Sequence, residues 1–123
     1  KTLHPKDEQF WSADDMVKLD NNHLATLSAS GVRIWDISTG ECIRILDTNS
    51  RDLGAGSKIV LLSANRLAVG YRNSGMIKIW DVSTGECLKT LQGHRTGILS
   101  LAQVANDVLA SGDEDGVIKL WKV

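Results

Sequence analysis

The sequence predicts an all-β fold built from three copies of one four-stranded antiparallel unit. Three observations predict it. The octapeptide Trp35-Asp36-Ile37-Ser38-Thr39-Gly40-Glu41-Cys42 returns 45 residues later as Trp80-Asp81-Val82-Ser83-Thr84-Gly85-Glu86-Cys87, and a shortened copy, Trp121-Lys122-Val123, follows 41 residues further on. A Leu-Ala pair precedes each of these tryptophans, at Leu24-Ala25, Leu67-Ala68 and Leu109-Ala110. Around these anchors apolar and polar residues alternate with the period of a strand, and no stretch carries helical spacing. Self-similarity at this period makes each copy one supersecondary unit that buries its faces against its neighbours.

In chain order, Lys1-Thr2-Leu3 matches Lys89-Thr90-Leu91, the close of the second copy, so the chain opens on a strand that belongs at the end of a unit. Pro5 to Asp14 shows no alternation and reads as a loop insertion. Its adjacent aromatics Phe10 and Trp11 either cap a sheet edge or anchor a partner, since Trp is a frequent hot-spot residue. The first unit then runs Met16–Leu19, His23–Leu27, Val32–Trp35 and Cys42–Leu46, with turns at Asp20-Asn21-Asn22, Ser30-Gly31 and Ser38-Thr39-Gly40. Asp47 to Ser57 has the composition of a surface loop. The second unit repeats the scheme with Ile59–Leu62, Arg66–Gly70, Met76–Trp80 and Cys87–Leu91, and the third with Leu101–Val104, Val108–Ser111 and Val117–Trp121. From Ala to Trp the spacing is 10, 12 and 11 residues, so the second hairpin of each unit varies only at its exposed tip.

A chain of 123 residues is long enough for one domain with a core. Its formal net charge of −1 supplies no general attraction to nucleic acid or an anionic membrane, and no apolar run approaches the roughly 20 residues of a membrane span. Arg33, Arg44, Lys78, Lys89 and Lys119 alternate with apolar residues along strands, the pattern of a solvated sheet face rather than of a nucleic-acid stripe. The chain begins at Lys1 with neither Met nor a signal-like segment, the expectation for a piece of a longer or processed chain. Cys42 and Cys87 hold equivalent places in separate units, too far apart for a bond that needs Cα atoms within about 7 Å. Two unpaired thiols fit a reducing compartment, hence an intracellular setting, cytoplasmic or nuclear.

These residues resemble the WD-repeat β-propeller family. The third copy carries the fullest pattern, with Gly93-His94 ahead of its first strand and Ser111-Gly112-Asp113-Glu114-Asp115-Gly116-Val117-Ile118-Lys119-Leu120-Trp121 after it. The resemblance implies β-propeller blades of four antiparallel strands, three of them in this chain. Blade 1 is expected at about 15–46 and blade 2 at about 58–91. Blade 3 is expected at about 98–123, completed by strand 1–3. It also implies a structural hydrogen-bond chain through Trp121, Ser111, His94 and Asp115. The other copies depart from it: Val69 stands in the place of Ser111, Ser74 in that of Asp115, and only Thr26 offers the first copy a hydroxyl. Three blades cannot close a ring of four to eight. Either two chains form a six-bladed ring, with residues 1–3 of each completing the other's third blade, or the chain continues into further blades.

His94, Ser111 and Asp115 contain the residue types of a hydrolytic triad, but at framework positions. Asp113-Glu114-Asp115-Gly116 hints at a calcium loop, yet its twelfth position would be Lys122 where a bidentate acid is required. Gly54-Ala55-Gly56-Ser57-Lys58 lacks phosphate-loop spacing, and no Cys/His cluster has zinc spacing. No cofactor or metal is expected. The function implied by the resemblance is a non-catalytic scaffold binding peptides or protein domains on the face that bears the hairpin tips. Its contacts would come from Arg51, Asp52, Arg72, Asn73, Arg95, Thr96, Asp113 and Glu114. The alternative is a propeller that regulates or forms part of an enzyme such as a hydrolase.

Overall fold

Among the described residues, alternation along the chain produces eleven strands in three antiparallel meanders. The structure is a computed structural model and describes residues 2–3, 13–48 and 56–123. The first sheet holds β1 (Asp15–Lys18), β2 (His23–Ser28), β3 (Gly31–Asp36) and β4 (Cys42–Leu46) in chain order. The second holds β5 (Gly56–Leu62), β6 (Arg66–Tyr71), β7 (Ile77–Asp81) and β8 (Cys87–Leu91), again in order. The third holds β9 (Ile98–Ala105), β10 (Val108–Asp113) and β11 (Ile118–Lys122). Strand β5 lies against both β1 and β9, so the first strands of the three sheets run side by side at one edge of the stack.

The middle sheet shows how the pattern builds the stack. Side chains alternate across a strand, so Leu67, Val69 and Tyr71 of β6 face the first sheet and pack with Ala25, Leu27, Val32 and Ile34. Ala68 faces the other way, with Ile77 and Ile79 of β7, onto Ile98 and Leu109 of the third sheet. A sheet buried on both faces needs apolar residues at consecutive positions, which is why Leu67-Ala68-Val69 carries no polar break.

The repeated octapeptide builds the outer turn of each four-stranded sheet. Asp36 Oδ1 accepts the Ser38 hydroxyl at 2.7 Å and the Thr39 N–H at 3.0 Å. Asp81 Oδ1 accepts the N–H groups of Ser83 and Thr84 at 2.8 and 3.0 Å. Gly40 and Gly85 close the turns at a φ of 78°, a left-handed conformation in which a side chain is strained. The main chain also ties this turn to the one between the first two strands. The N–H groups of Ile37, Val82 and Val123 donate to the carbonyls of Asn22, Asn65 and Asp107 at 2.8, 3.1 and 2.8 Å.

Arginines stitch neighbouring sheets at the same points. Arg44 of β4 donates to the Val82 carbonyl at 3.2 Å and to that of Ser83, and Arg66 of β6 donates to the Val123 carbonyl at 2.7 Å. Arg33 departs from the expected solvated face: it is buried, and its guanidinium donates to Ser30 Oγ at 2.8 Å.

Several boundaries differ from expectation, among them β9, which starts at Ile98 rather than Leu101. Strand β5 begins at Gly56, inside the stretch whose composition reads as loop, because Gly56 pairs with Tyr71 and a bulge accommodates Ser57 before Lys58 pairs with Gly70. At the other end Thr2 and Leu3 lie outside any strand, and Lys1 falls outside the described residues. Among the described residues strand β11 is therefore an edge, with Ile118 74% and Leu120 68% exposed.

Candidate functional site

The face bearing the tips of the second hairpins is assembled by close backbone packing between blades two and three. A Cβ on Gly97 would stand 1.6 Å from the Arg72 carbonyl oxygen, and one on Gly75 would stand 2.4 Å from that of Thr96. Only hydrogen at these two Cα atoms lets the turn after β6 lie on the loop that enters β9. The tip after β10 joins them, since the Glu114 N–H donates to the Gly97 carbonyl at 3.2 Å. Arg72, Asn73, Arg95 and Glu114 thus share one surface, all four exposed, and none of their side chains is held by a hydrogen bond or ion pair among the described residues.

Beneath this surface runs a line of four polar side chains whose polarity is set by its ends. An indole N–H can only donate and a carboxylate can only accept. Trp121 Nε1 donates to Ser111 Oγ at 2.8 Å, Ser111 Oγ meets His94 Nε2 at 2.6 Å, and His94 Nδ1 meets Asp113 Oδ2 at 2.8 Å. Every partner is satisfied when the serine hydroxyl donates to Nε2 and the imidazole carries its proton on Nδ1. Burial raises the Asp113 carboxyl, but the His94 hydrogen bond and the N–H groups of Val117 and Asp115 outweigh it and hold the group below its ordinary range.

The acid of this line is Asp113, which corrects the expectation of Asp115. Asp113 ends β10, where strand alternation puts its side chain on the same face as that of Ser111, onto His94. Asp115 sits exposed on the tip and contributes only its N–H, which donates to Asp113 Oδ1 at 2.9 Å. The same geometry removes Asp113 from the contact residues, because both of its oxygens are engaged and the residue is 7% exposed. Although Ser111, His94 and Asp113 are aligned, the His94 and Asp113 side chains are 0% and 2% exposed and Ser111 is 1% exposed, so the hydroxyl has no path to a substrate. Among the described residues no cluster of His, Cys, Asp and Glu has the form of a metal site.

The other expected residues divide as follows. Thr96 is half-buried with its hydroxyl enclosed and unpartnered. Arg51, Asp52, Phe10 and Trp11 lie outside the described residues. Sequence reasoning missed a cleft of about 250 Å³ beside Arg72 and Asn73, lined also by Asp14, Gly56, Ser57 and Lys58. Asp14 and Lys58 are far apart in sequence, and only the docking of sheet on sheet brings them together. A second groove, of about 200 Å³, lies at the repeated turns, with Asp20, His23, Arg44 and Ser83 among its walls.

Comparison with known proteins adds three findings. Residues 85–122 match the family model described as WD domain, G-beta repeat. No curated protein sequence matches the chain. Among solved structures, the computationally designed Ika4 protein superposes with a TM-score of 0.71 at 26% identity, over 86% of this chain and 63% of its own. The computationally designed Ika8 protein superposes with a TM-score of 0.71 at 27% identity, over 86% of this chain and 32% of its own. The chain therefore spans less than two thirds of the length of either design.

Proposed function

We propose that the chain, whose residues 85–122 match the WD-domain repeat and whose sheets superpose on designed propellers, is part of a WD-repeat β-propeller and a non-catalytic scaffold that binds a peptide or protein domain on its hairpin-tip face. One observation carries the reading. The Gly75 and Gly97 contacts gather Arg72, Asn73, Arg95 and Glu114 into a single exposed surface, and the framework uses none of their side chains. Charged groups left free above a rigid frame are the raw material of a recognition surface. The unpaired thiols of Cys42 and Cys87 support an intracellular, cytoplasmic setting. The test is a pull-down comparing the unaltered chain with the double variant Arg72→Glu, Arg95→Glu. Loss of a specifically retained protein at unchanged melting temperature supports this face, and unchanged retention argues against it.

The open edge of β11 bears on assembly. Ile77 of β7 pairs with Leu91 and Lys78 with Thr90, so the matching strand Lys1-Thr2-Leu3 would set Leu3 opposite Ile118. Either a second copy supplies that strand and closes a six-bladed ring, or further blades of a longer chain cover it. Light scattering separates the two. A stable folded monomer near 13.4 kDa excludes the dimer, and a species of twice that mass supports it.

A further inference from the structure

The cleft beside Arg72 has a chemistry of its own, and its use as a site rests on the scaffold reading above. It lies at the hairpin-tip face where β5 follows the first sheet, and its walls among the described residues are Asp14, Gly56, Ser57, Lys58, Arg72 and Asn73. Ser57 sits in the bulge of β5, buried, and its hydroxyl is directed inward, 3.2 Å from the Gly70 carbonyl and 3.0 Å from that of Ile98. That hydroxyl is committed to joining the second and third sheets. The longer side chains of Lys58, Arg72 and Asn73 are not committed: none makes a hydrogen bond or ion pair among the described residues. Among the described residues, two cations thus stand in one concave site against one carboxylate, that of Asp14.

From this arrangement we propose that the cleft holds an anionic side chain of the bound protein segment, a carboxylate or a phosphorylated residue. The planar guanidinium of Arg72 matches two oxygens of such a group, Lys58 supplies a point charge, and the Asn73 amide can donate a further hydrogen bond. Asp14 discourages a second anion by repulsion, so the site reads one acidic residue rather than an acidic run. A bulge beside the cleft fits this use, since bulges commonly re-aim side chains next to functional sites.

The test is backbone amide NMR of the intact chain, titrated with four probes. Three are short, otherwise neutral peptides carrying a single Glu, a single phosphoserine or a single Lys, and the fourth is inorganic phosphate. The Glu or phosphoserine peptide is expected to move the amides of Ser57, Lys58, Arg72 and Asn73, and the Lys peptide is not. Lys58→Gln together with Arg72→Gln should weaken that binding about tenfold, the loss expected for a charge-assisted contact, with the melting temperature unchanged. Three results would overturn the proposal: no response of these amides to either acidic peptide, a response to inorganic phosphate alone, or binding that survives both substitutions. The Arg95→Glu variant separates this failure from failure of the scaffold reading. If it abolishes partner retention in the pull-down while Lys58→Gln and Arg72→Gln leave retention intact, the face stands and the cleft does not serve it.

Discussion

Val69 occupies, in the second blade, the strand position from which Ser111 serves Trp121 in the third, so the buried indole N–H of Trp80 finds no hydroxyl there and lies beside the Tyr71 phenol without a hydrogen bond of normal geometry. In the first blade Thr26 fills the same position and accepts the Trp35 indole at 2.9 Å. The alignment continues one step further. Tyr71 stands where Asp113 stands, and its hydroxyl donates to the Thr48 carbonyl. Burial pushes this phenol well above its ordinary range, with the charge of nearby Cys87 acting in the same direction. The second blade has replaced a polar line with apolar packing and one buried phenol, so three blades of one architecture are held by three different interiors.

That relationship predicts substitutions of opposite sign at equivalent sites. Val69→Thr preserves shape and offers Trp80 the partner it lacks, and the gain of about 1 kcal/mol is offset in part by the lost methyl. Thr26→Val is expected to cost about 1–2 kcal/mol, and Ser111→Ala about 2–3 kcal/mol because it strands both Trp121 and His94. Chemical denaturation of the three variants measures these values directly. A destabilised Val69→Thr variant alongside a neutral Thr26→Val variant would show that the indole bonds do not decide the matter.

Glycine substitutions should separate close packing from backbone strain. Gly97→Ala drives a Cβ onto the Arg72 carbonyl, and the forced separation of the two loops is expected to cost about 3 kcal/mol. In melting temperature this is a fall of roughly 10 °C. Gly116 has a φ of 83°, but a methyl added at its Cα would meet nothing within 4 Å, so Gly116→Ala carries only the left-handed penalty of about 1 kcal/mol. Thermal melts of both variants test the order.

The Trp-Asp turn carries a pH signature. The Ser38 hydroxyl, then the Thr39 N–H, pull the Asp36 carboxyl down from 3.8 to about 2. A folded pKa below the unfolded one stabilises the chain above the unfolded value, and that contribution disappears as pH falls through the folded value. The stability difference between the unaltered chain and Asp36→Asn should therefore be largest above about pH 4 and shrink toward pH 2. Melting temperatures across that window, with a carboxyl NMR titration of Asp36, check both the sign and the midpoint.

Ala64 is open to improvement. It and Asn65 both adopt left-handed conformations, at φ 62° and 57°, in the turn between β5 and β6. Asn tolerates this region and Ala does not. Ala64→Gly relieves about 1 kcal/mol of strain against a smaller entropic cost, for a net gain of about 0.5 kcal/mol. A small rise in denaturation midpoint at constant slope is the expected result.

The strands were legible because their determinants are local. Alternation at period two, the Leu-Ala anchors and the Gly-closed turn recur in each unit, and each acts through hydrogen bonds or side-chain directions a few residues apart. The same reading located Thr26 and Val69 as the positions that decide whether a tryptophan has a partner, since register on a repeated strand is preserved from copy to copy. It misplaced the acid of the His94 line. Asp113 and Asp115 are two residues apart in one tip, and the choice between them turns on where β10 ends: Asp113 is still in the strand, on the face of Ser111, whereas Asp115 lies in the turn, a boundary that the polar composition of the tip does not mark. It also took Gly56 and Ser57 for loop, because their composition is that of a turn while their burial comes from the neighbouring sheet.

The sequence by itself therefore determined the unit, the number of copies and the outer turn. Tertiary structure decided what lies between the copies: the seating of Gly97 on Arg72, the arginine ties from Arg44 and Arg66 to the next blade, and the cleft that joins Asp14 to Lys58 and Arg72. The physical reason is range. Backbone pairing and turn closure act over a few residues and leave a periodic trace in the chain. Sheet-on-sheet packing joins residues some forty positions apart, whose identities are constrained by a neighbour in space and carry no period of their own.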